Sequence, residues 1–135
     1  MRNFGALYVV SALVFLAIDI FGLTYLLRPT FEANAPQLLA EDPNFVAAAM
    51  FYFTYIAGIV WFVSLPAIRY GTSMARVFGN GAALGFLAYG TYEFTNMATL
   101  AGWKWQMVYV DLIWGALLTG SVAVGGIVLS RRLRS

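Results

Sequence analysis

The sequence contains neither cysteine nor histidine in 135 residues. Their absence excludes disulfides, haem or zinc ligation by these residues, and any mechanism that pairs a serine or cysteine with a histidine. Charge is scarce as well, since charged residues make up 10% of the chain and hydrophobic residues 61%. Soluble domains are about 45–50% apolar, so the composition indicates a single integral membrane domain over residues 1–135.

Four apolar runs cover most of the chain, at about residues 4–27, 45–68, 77–100 and 105–129. A helix of about 24 residues is roughly 36 Å long, which is enough to cross about 30 Å of hydrocarbon. The sequence therefore predicts an all-α bundle of four transmembrane helices, with an outer loop at residues 28–44.

The basic residues lie at the ends of the apolar runs, where they mark membrane topology. Only Arg28 and Lys104 fall on one predicted side, whereas the other side carries Arg2, Arg69, Arg76, Arg131, Arg132 and Arg134. We therefore expect both termini in the cytoplasm. The net charge of +2 is explained by this pattern, and no nucleic-acid partner is predicted.

Three acids interrupt the apolar runs: Asp19, Glu93 and Asp111. No Lys, Arg or His lies within the runs to neutralise them. Counted from the predicted outer ends, all three lie roughly 9–12 Å deep. A carboxylate facing lipid costs about 2.5–3.5 kcal/mol, so we expect all three to face the bundle interior. Because the three acids share one depth and have no base beside them, we expect them to converge. Neighbouring buried carboxyls rarely both ionise, so we expect the group to hold at least one proton.

Aromatic and polar residues accompany these acids. Phe86, Tyr89, Glu93 and Asn96 form one helical stripe, and Met107, Trp114 and Gly115 share the face of Asp111. The predicted binding pocket lies in the outer half of the bundle. Its residues are Asp19, Glu93, Asp111, Asn96, Tyr52, Tyr55, Tyr89, Tyr92 and Trp114.

Glycines and tryptophans predict how the helices pack and where they meet the interface. Gly81 and Gly85 form a GxxxG pattern, which we interpret as close packing within the bundle rather than as a dimer contact. Further small residues in the fourth run indicate a tight, dry cytoplasmic half. Trp61, Trp103 and Trp105 lie near the ends of runs and are interpreted as interfacial anchors.

The stretch AYGTYEFTNMATL (88–100), followed by VDLIWG (110–115) and preceded by FYFTYIAGIVWFV (51–63), resembles the bacterial inner-membrane family catalogued as domain of unknown function 2177. The resemblance covers nearly the whole chain. Glu93 stands where the family motif has an aspartate, and Ile20 and Phe21 follow Asp19 where the family usually has a tryptophan. The resemblance implies four helices, a multi-pass protein of the inner membrane, a link to membrane-lipid modification and no established activity.

The residues leave several functions open. A lipid-handling or accessory protein would use the acidic and aromatic pocket to hold a membrane lipid. A proton- or cation-coupled small transporter would use the acids as a relay and act as a homodimer. A metal-assisted enzyme would use Asp19, Glu93 and Asp111 as oxygen ligands of a divalent cation. In a purely structural interpretation, the carboxyls only join helices by hydrogen bonds.

Lipid handling is the interpretation that we favour from the sequence, with a larger membrane complex as an alternative assembly. Enzymatic activity is not favoured. No cofactor is predicted, and a bound lipid or a divalent cation are the candidate ligands.

Overall fold

The computed structural model describes residues 2–134, with the side chains of residues 4–133, and this part of the chain is helical and contains no strand. Helix α1 consists of Arg2–Gly22, the π-helical segment Leu23–Leu27, and Arg28–Asn34. After a 3₁₀ turn at Pro36–Leu38, helix α2 consists of Phe45–Ile59, the π-helical Val60–Ser64, and Leu65–Tyr70. Helix α3 is Met74–Thr99 and helix α4 is Trp105–Arg134. The predicted all-α class is confirmed.

Three helical stretches are long and apolar enough to cross a membrane: Phe4–Asn34, Phe45–Tyr70 and Trp105–Leu133. Helix α3 has 26 residues but is more polar, since it carries Asn80, Glu93 and Asn96. A helical protein with several apolar helices is therefore confirmed, and a fourth crossing by α3 stays a prediction. The orientation also stays a prediction, and the side chains of Arg2 and Arg134, which contribute to it, lie outside the described residues.

Helix α1 is longer than the sequence predicts. It continues through residues 28–34, which the sequence assigns to the outer loop 28–44, so the connection to α2 begins only at Ala35. The sequence predicts the end of this helix at residue 27, where the apolar run stops. Pro29 is compatible with an end there, because a proline lacks an N–H and its ring clashes with the carbonyl four residues earlier. In α1 that carbonyl belongs to Tyr25, inside the π-helical segment Leu23–Leu27. The wider π turn provides room for the ring, so the helix continues.

Helix α2 repeats this arrangement. Pro66 follows the π-helical segment Val60–Ser64 at the same spacing as Pro29 follows Leu23–Leu27. The helix then ends at Tyr70, where Gly71 has φ +65° and turns the chain toward α3. Ser73 caps α3 by accepting a hydrogen bond from the Arg76 N–H at 3.3 Å.

Helix α4 lies at the centre of the bundle and contacts the other three helices, most extensively α3. Glycines make the α3–α4 contact close: a Cβ at Gly85 would overlap the Gly115 carbonyl, and one at Gly81 would lie 2.9 Å from the Gly120 Cα. The prediction that Gly81 and Gly85 pack within the bundle is confirmed.

The core and the outer surface of the bundle are both apolar. Fully buried side chains include Phe15, Ile56 and Val122, whereas many large hydrophobic side chains of all four helices are exposed. An apolar exterior of this kind suits a lipid environment, where burial of apolar groups gives no advantage over contact with acyl chains.

Candidate functional site

The three acids of the apolar runs are buried inside the bundle. Asp19 of α1 is 3% exposed, Glu93 of α3 is 0% exposed, and Asp111 of α4 is 6% exposed. All three therefore face the interior, as predicted from the energetic penalty of placing a carboxylate against lipid.

Glu93 has a well-defined donor on one oxygen only. The Trp103 indole Nε1 donates a hydrogen bond to Glu93 Oε1 at 2.9 Å. Glu93 Oε2 is buried and accepts from no N–H or hydroxyl in the described part of the chain. The Asp111 carboxyl lies beside that of Glu93, in side-chain hydrogen-bonding contact with it. The two carboxyls thus form a direct pair between α3 and α4.

Asp19 has different partners. The Trp114 indole Nε1 donates to Asp19 Oδ1 at 3.2 Å, and the Tyr52 hydroxyl lies beside the same carboxyl. Trp114 belongs to α4 and Tyr52 to α2, so Asp19 links α1 to both helices. Close packing of Trp114 depends on Gly22, where a Cβ would overlap the indole ring.

The three acids, which we call the acidic row, are linked through Asp111. Its carboxyl interacts electrostatically with both Glu93 and Asp19. Among residues 2–134, no group of three or more acidic, histidine or cysteine side chains is arranged to hold a metal ion. The arrangement therefore gives no support to the predicted divalent-cation ligand set.

The other predicted pocket residues lie at different depths. Tyr55 is buried and its hydroxyl is 2.6 Å from Thr119 Oγ1, while its ring meets the half-buried Tyr89 edge-on at 6.1 Å. Asn96 is half-buried beside the Tyr92 hydroxyl. Tyr92 itself is 52% exposed. Tyr55 and Tyr89 therefore extend the site inward, whereas Tyr92 lies at its edge. Phe86, predicted on the same stripe as Glu93, is 48% exposed and lies outside the site.

Trp103 is the site residue that the sequence misplaced. It was predicted to be an interfacial anchor, but it is only 8% exposed and binds Glu93. Gly102, with φ +82°, turns the connection between α3 and α4 so that Trp103 folds back over Glu93. Trp61 and Trp105 are 55% and 51% exposed, as expected for anchors.

The helical extension of α1, residues 28–34, covers the site at the end where Trp103 lies over Glu93. The Phe31 ring meets the Trp103 ring edge-on at 5.8 Å, and Ala35 is buried against the same cluster. Asn34 Nδ2 donates to Gln106 Oε1 at 3.1 Å, which attaches the end of α1 to the start of α4. The carboxyl pair is therefore covered by protein at the end of the bundle where α3 and α4 are connected.

A groove of about 290 Å³ lies between α1 and α2 on the lateral surface of the bundle. Its lining surface is almost entirely apolar. It is formed by Leu16, Phe45, Ala48, Ala49, Tyr52, Phe53 and Ile56. Because Tyr52 also contacts Asp19, one side chain joins the apolar groove to the acidic row.

Buried hydroxyls in the half of the bundle that the sequence predicts to be cytoplasmic are also missed by the sequence interpretation. Beyond Thr119, the buried hydroxyls are Ser11, Ser64 and Ser130, and Ser64 donates to the Ala123 carbonyl at 3.1 Å. The predicted tight packing is present, but this half is not wholly apolar. Only Tyr55 and Thr119 of these described hydroxyls bond to each other directly, so they form no continuous path. A relay through the bundle is therefore not supported by this geometry.

A family model described as "Predicted membrane protein (DUF2177)" matches residues 4–128 of the chain. Neither the curated proteins nor the solved structures include a match. The match extends over all four helices and over every acidic and aromatic residue of the site.

Proposed function

Because the chain belongs to the family of predicted membrane proteins DUF2177, we propose that it is a multi-pass protein of the bacterial inner membrane that binds a membrane lipid. One acyl chain lies in the groove between α1 and α2, and a polar group of the lipid that carries hydrogen-bond donors is held at Tyr52 and Asp19. The observation that carries this proposal is the position of Tyr52, which lines the groove and contacts the Asp19 carboxyl.

The size and lining of the groove favour a single apolar chain. Its volume of about 290 Å³ lies near the lower limit of about 300 Å³ for small-molecule sites. The groove is bordered by Phe45 and Phe53, which are 75% and 57% exposed on the lateral surface. An occupant can therefore enter sideways from the surrounding acyl chains without crossing water.

The polar end of the groove explains why a lipid with a donor-bearing group would be preferred. The Tyr52 hydroxyl can both donate and accept, whereas an ionised Asp19 only accepts. An amino group that reaches this end can donate to both the Tyr52 hydroxyl oxygen and an Asp19 carboxylate oxygen, whereas a hydroxyl group can donate to Asp19 and accept from Tyr52. The covered outer end of the site makes this lateral route the simplest approach to Asp19.

The bilayer-spanning arrangement is part of the proposal. Helix α3 has 26 residues, or about 39 Å of helix, which is enough to cross the hydrocarbon region. It packs along α4 through Gly81 and Gly85, and only a short connection joins the two helices. Adjacent helices with a short connection are antiparallel, so α3 returns the chain across the thickness that α4 crosses. Four crossings leave both termini on the same side of the membrane, and the distribution of the basic residues assigns that side to the cytoplasm.

The test fills the groove and measures the bound lipid. Ala49 lines the groove, so Ala49→Phe should occupy the space of the acyl chain. Ala47 lies two residues away on the same helix but is exposed and outside the groove, so Ala47→Phe is the matched control. Each protein is purified in detergent, and the molar ratio of retained lipid to protein is measured by native mass spectrometry.

We expect the wild-type protein and Ala47→Phe to retain lipid, and Ala49→Phe to lose most of it. Tyr52→Phe should retain less of any amino- or hydroxyl-bearing lipid, because its hydroxyl partner is gone. The proposal is wrong if wild type retains no lipid, or if the two phenylalanine variants retain the same amount.

A further inference from the structure

The Glu93–Asp111 pair is short of hydrogen-bond donors. An ionised carboxylate offers only acceptors, so two ionised carboxylates side by side cannot bond to each other. Trp103 donates to Glu93 Oε1, but Glu93 Oε2 accepts from no N–H or hydroxyl among the described residues, although it is fully buried. Asp111 is in hydrogen-bonding contact with Glu93 and has no other hydrogen-bonding partner in the described part of the chain. A proton on one carboxyl would supply the missing donor.

The surroundings of the pair supply no compensating positive charge. The titratable groups that interact with it are Asp19 of α1, Tyr52 of α2, and Tyr89 and Tyr92 of α3. Lys104, next to Trp103 in the connection, is exposed. Two negative charges at this place would be buried, adjacent and uncompensated, which is strongly unfavourable.

We propose that Glu93 and Asp111 form a proton-binding site, in which a single proton is shared between the two carboxyls behind Trp103. The proton converts two mutually repelling groups into a hydrogen bond between α3 and α4. Asp19 is not part of the site, since its hydrogen-bonding contacts among the described residues are with Trp114 and Tyr52 rather than with another carboxyl. The site is independent of the lipid groove, because neither Glu93 nor Asp111 lines that groove.

Infrared spectroscopy of the protein in lipid tests this site through the C=O stretch of a protonated carboxyl. At neutral pH we expect one such band in the wild type. Glu93→Gln and Asp111→Asn should each abolish it, because the remaining carboxylate can accept from the new amide and no longer needs the proton. Asp19→Asn removes another buried acid and should leave the band in place, which makes it the matched control.

A band that persists in Glu93→Gln or in Asp111→Asn would assign the proton to one residue alone and overturn the shared site. Loss of the band only in Asp19→Asn, or its absence from the wild type, would do the same. Circular dichroism of each variant checks that the fold is retained.

A second measurement needs no substitution. The wild type is labelled with ¹³C on the glutamate carboxyls in one sample and on the aspartate carboxyls in another. Glu93 is the buried glutamate, whereas Glu32 and Glu41 are exposed. When the band is titrated away at alkaline pH, both labelled sets should change together, because Glu93 and Asp111 lose the same hydrogen bond. Changes at separate pH values would show two independent protons and overturn the proposal.

Discussion

Two of the buried carboxyls accept their hydrogen bond from an indole N–H: Trp114 donates to Asp19 and Trp103 donates to Glu93. A tryptophan offers a donor and a large apolar ring at once, so it can approach a buried acid without bringing a second charge into the bundle. Both rings therefore form part of the core while they satisfy an acid.

Replacing Trp103 by phenylalanine separates these two roles. The Trp103→Phe ring should keep its edge contacts with Phe31 and Tyr92, but Glu93 loses the one N–H donor that it has among the described residues. We expect the free energy of unfolding to fall by about 1–3 kcal/mol, the usual penalty for leaving a buried polar group unsatisfied. Unfolding in mixed detergent, followed by circular dichroism, measures the change.

Trp61→Phe is the matched control, since Trp61 is 55% exposed and binds no acid. It should change stability by less than about 0.5 kcal/mol. Equal effects of the two substitutions would mean that Trp103 is an interfacial anchor after all, as the sequence alone predicted.

Sequence reasoning located the acids of the site but not all of their partners. The burial of Asp19, Glu93 and Asp111 follows from the penalty for a charge in lipid, which depends only on residue type and depth. The burial of Trp103 depends on the turn at Gly102 and on a contact with Phe31, and Phe31 lies in a segment that the sequence assigned to a loop. Tertiary contacts of this kind leave no periodic pattern in the sequence.

The same limit explains the error in α1. The positions of the four helices followed from apolar runs, and their starts near residues 45 and 105 agree with the structure. Proline rules, however, describe the clash inside a regular α-helix. They do not anticipate that five π-helical residues precede both Pro29 and Pro66 and leave each helix unbroken.

The contact between α3 and α4 should depend on Gly85. In Gly85→Leu the side chain would overlap the Gly115 carbonyl, so the helices must separate. Overpacking of this kind costs about 1–3 kcal/mol. A lower melting temperature in detergent, measured by circular dichroism, is the expected result.

Gly79 provides the control for this substitution, because it lies on the same helix and a Cβ there meets nothing within 4 Å. Gly79→Leu should melt close to the wild type. If both variants melted like the wild type, the face of α3 that carries Gly85 would be in contact with lipid instead of α4.

Helix α4 determines how the whole bundle is held together. It contacts the three other helices, and the Glu93–Asp111 pair and the Asp19–Trp114 hydrogen bond both involve it. Helix α2, in contrast, is the least buried of the three long apolar stretches. Lipid in the groove between α1 and α2 would therefore meet the least tightly packed side of the molecule. The homodimer stays a prediction.

The absence of native cysteines makes the proposed topology directly testable. Single cysteines are introduced at three exposed positions, in or directly beside successive connections: Glu41→Cys, Ala75→Cys and Lys104→Cys. With four crossings and cytoplasmic termini, a membrane-impermeant maleimide added to intact spheroplasts should label the first and third positions. Ala75→Cys should be labelled only after lysis.

Lys104 decides whether α3 crosses the membrane. Ala75 lies in the first turn of α3, and Lys104 lies in the connection after that helix, so a helix that returns without crossing would place both positions on the same side. Protection of Ala75→Cys and Lys104→Cys together, with Glu41→Cys labelled, would reduce the number of crossings to three. Glu93 would then lie on a helix that ends within the bilayer or on its surface. Its burial would need an explanation other than the penalty for placing a carboxylate against lipid. Labelling of Ala75→Cys alone would instead keep four crossings and reverse the orientation, which would place the covered end of the acidic row on the cytoplasmic side.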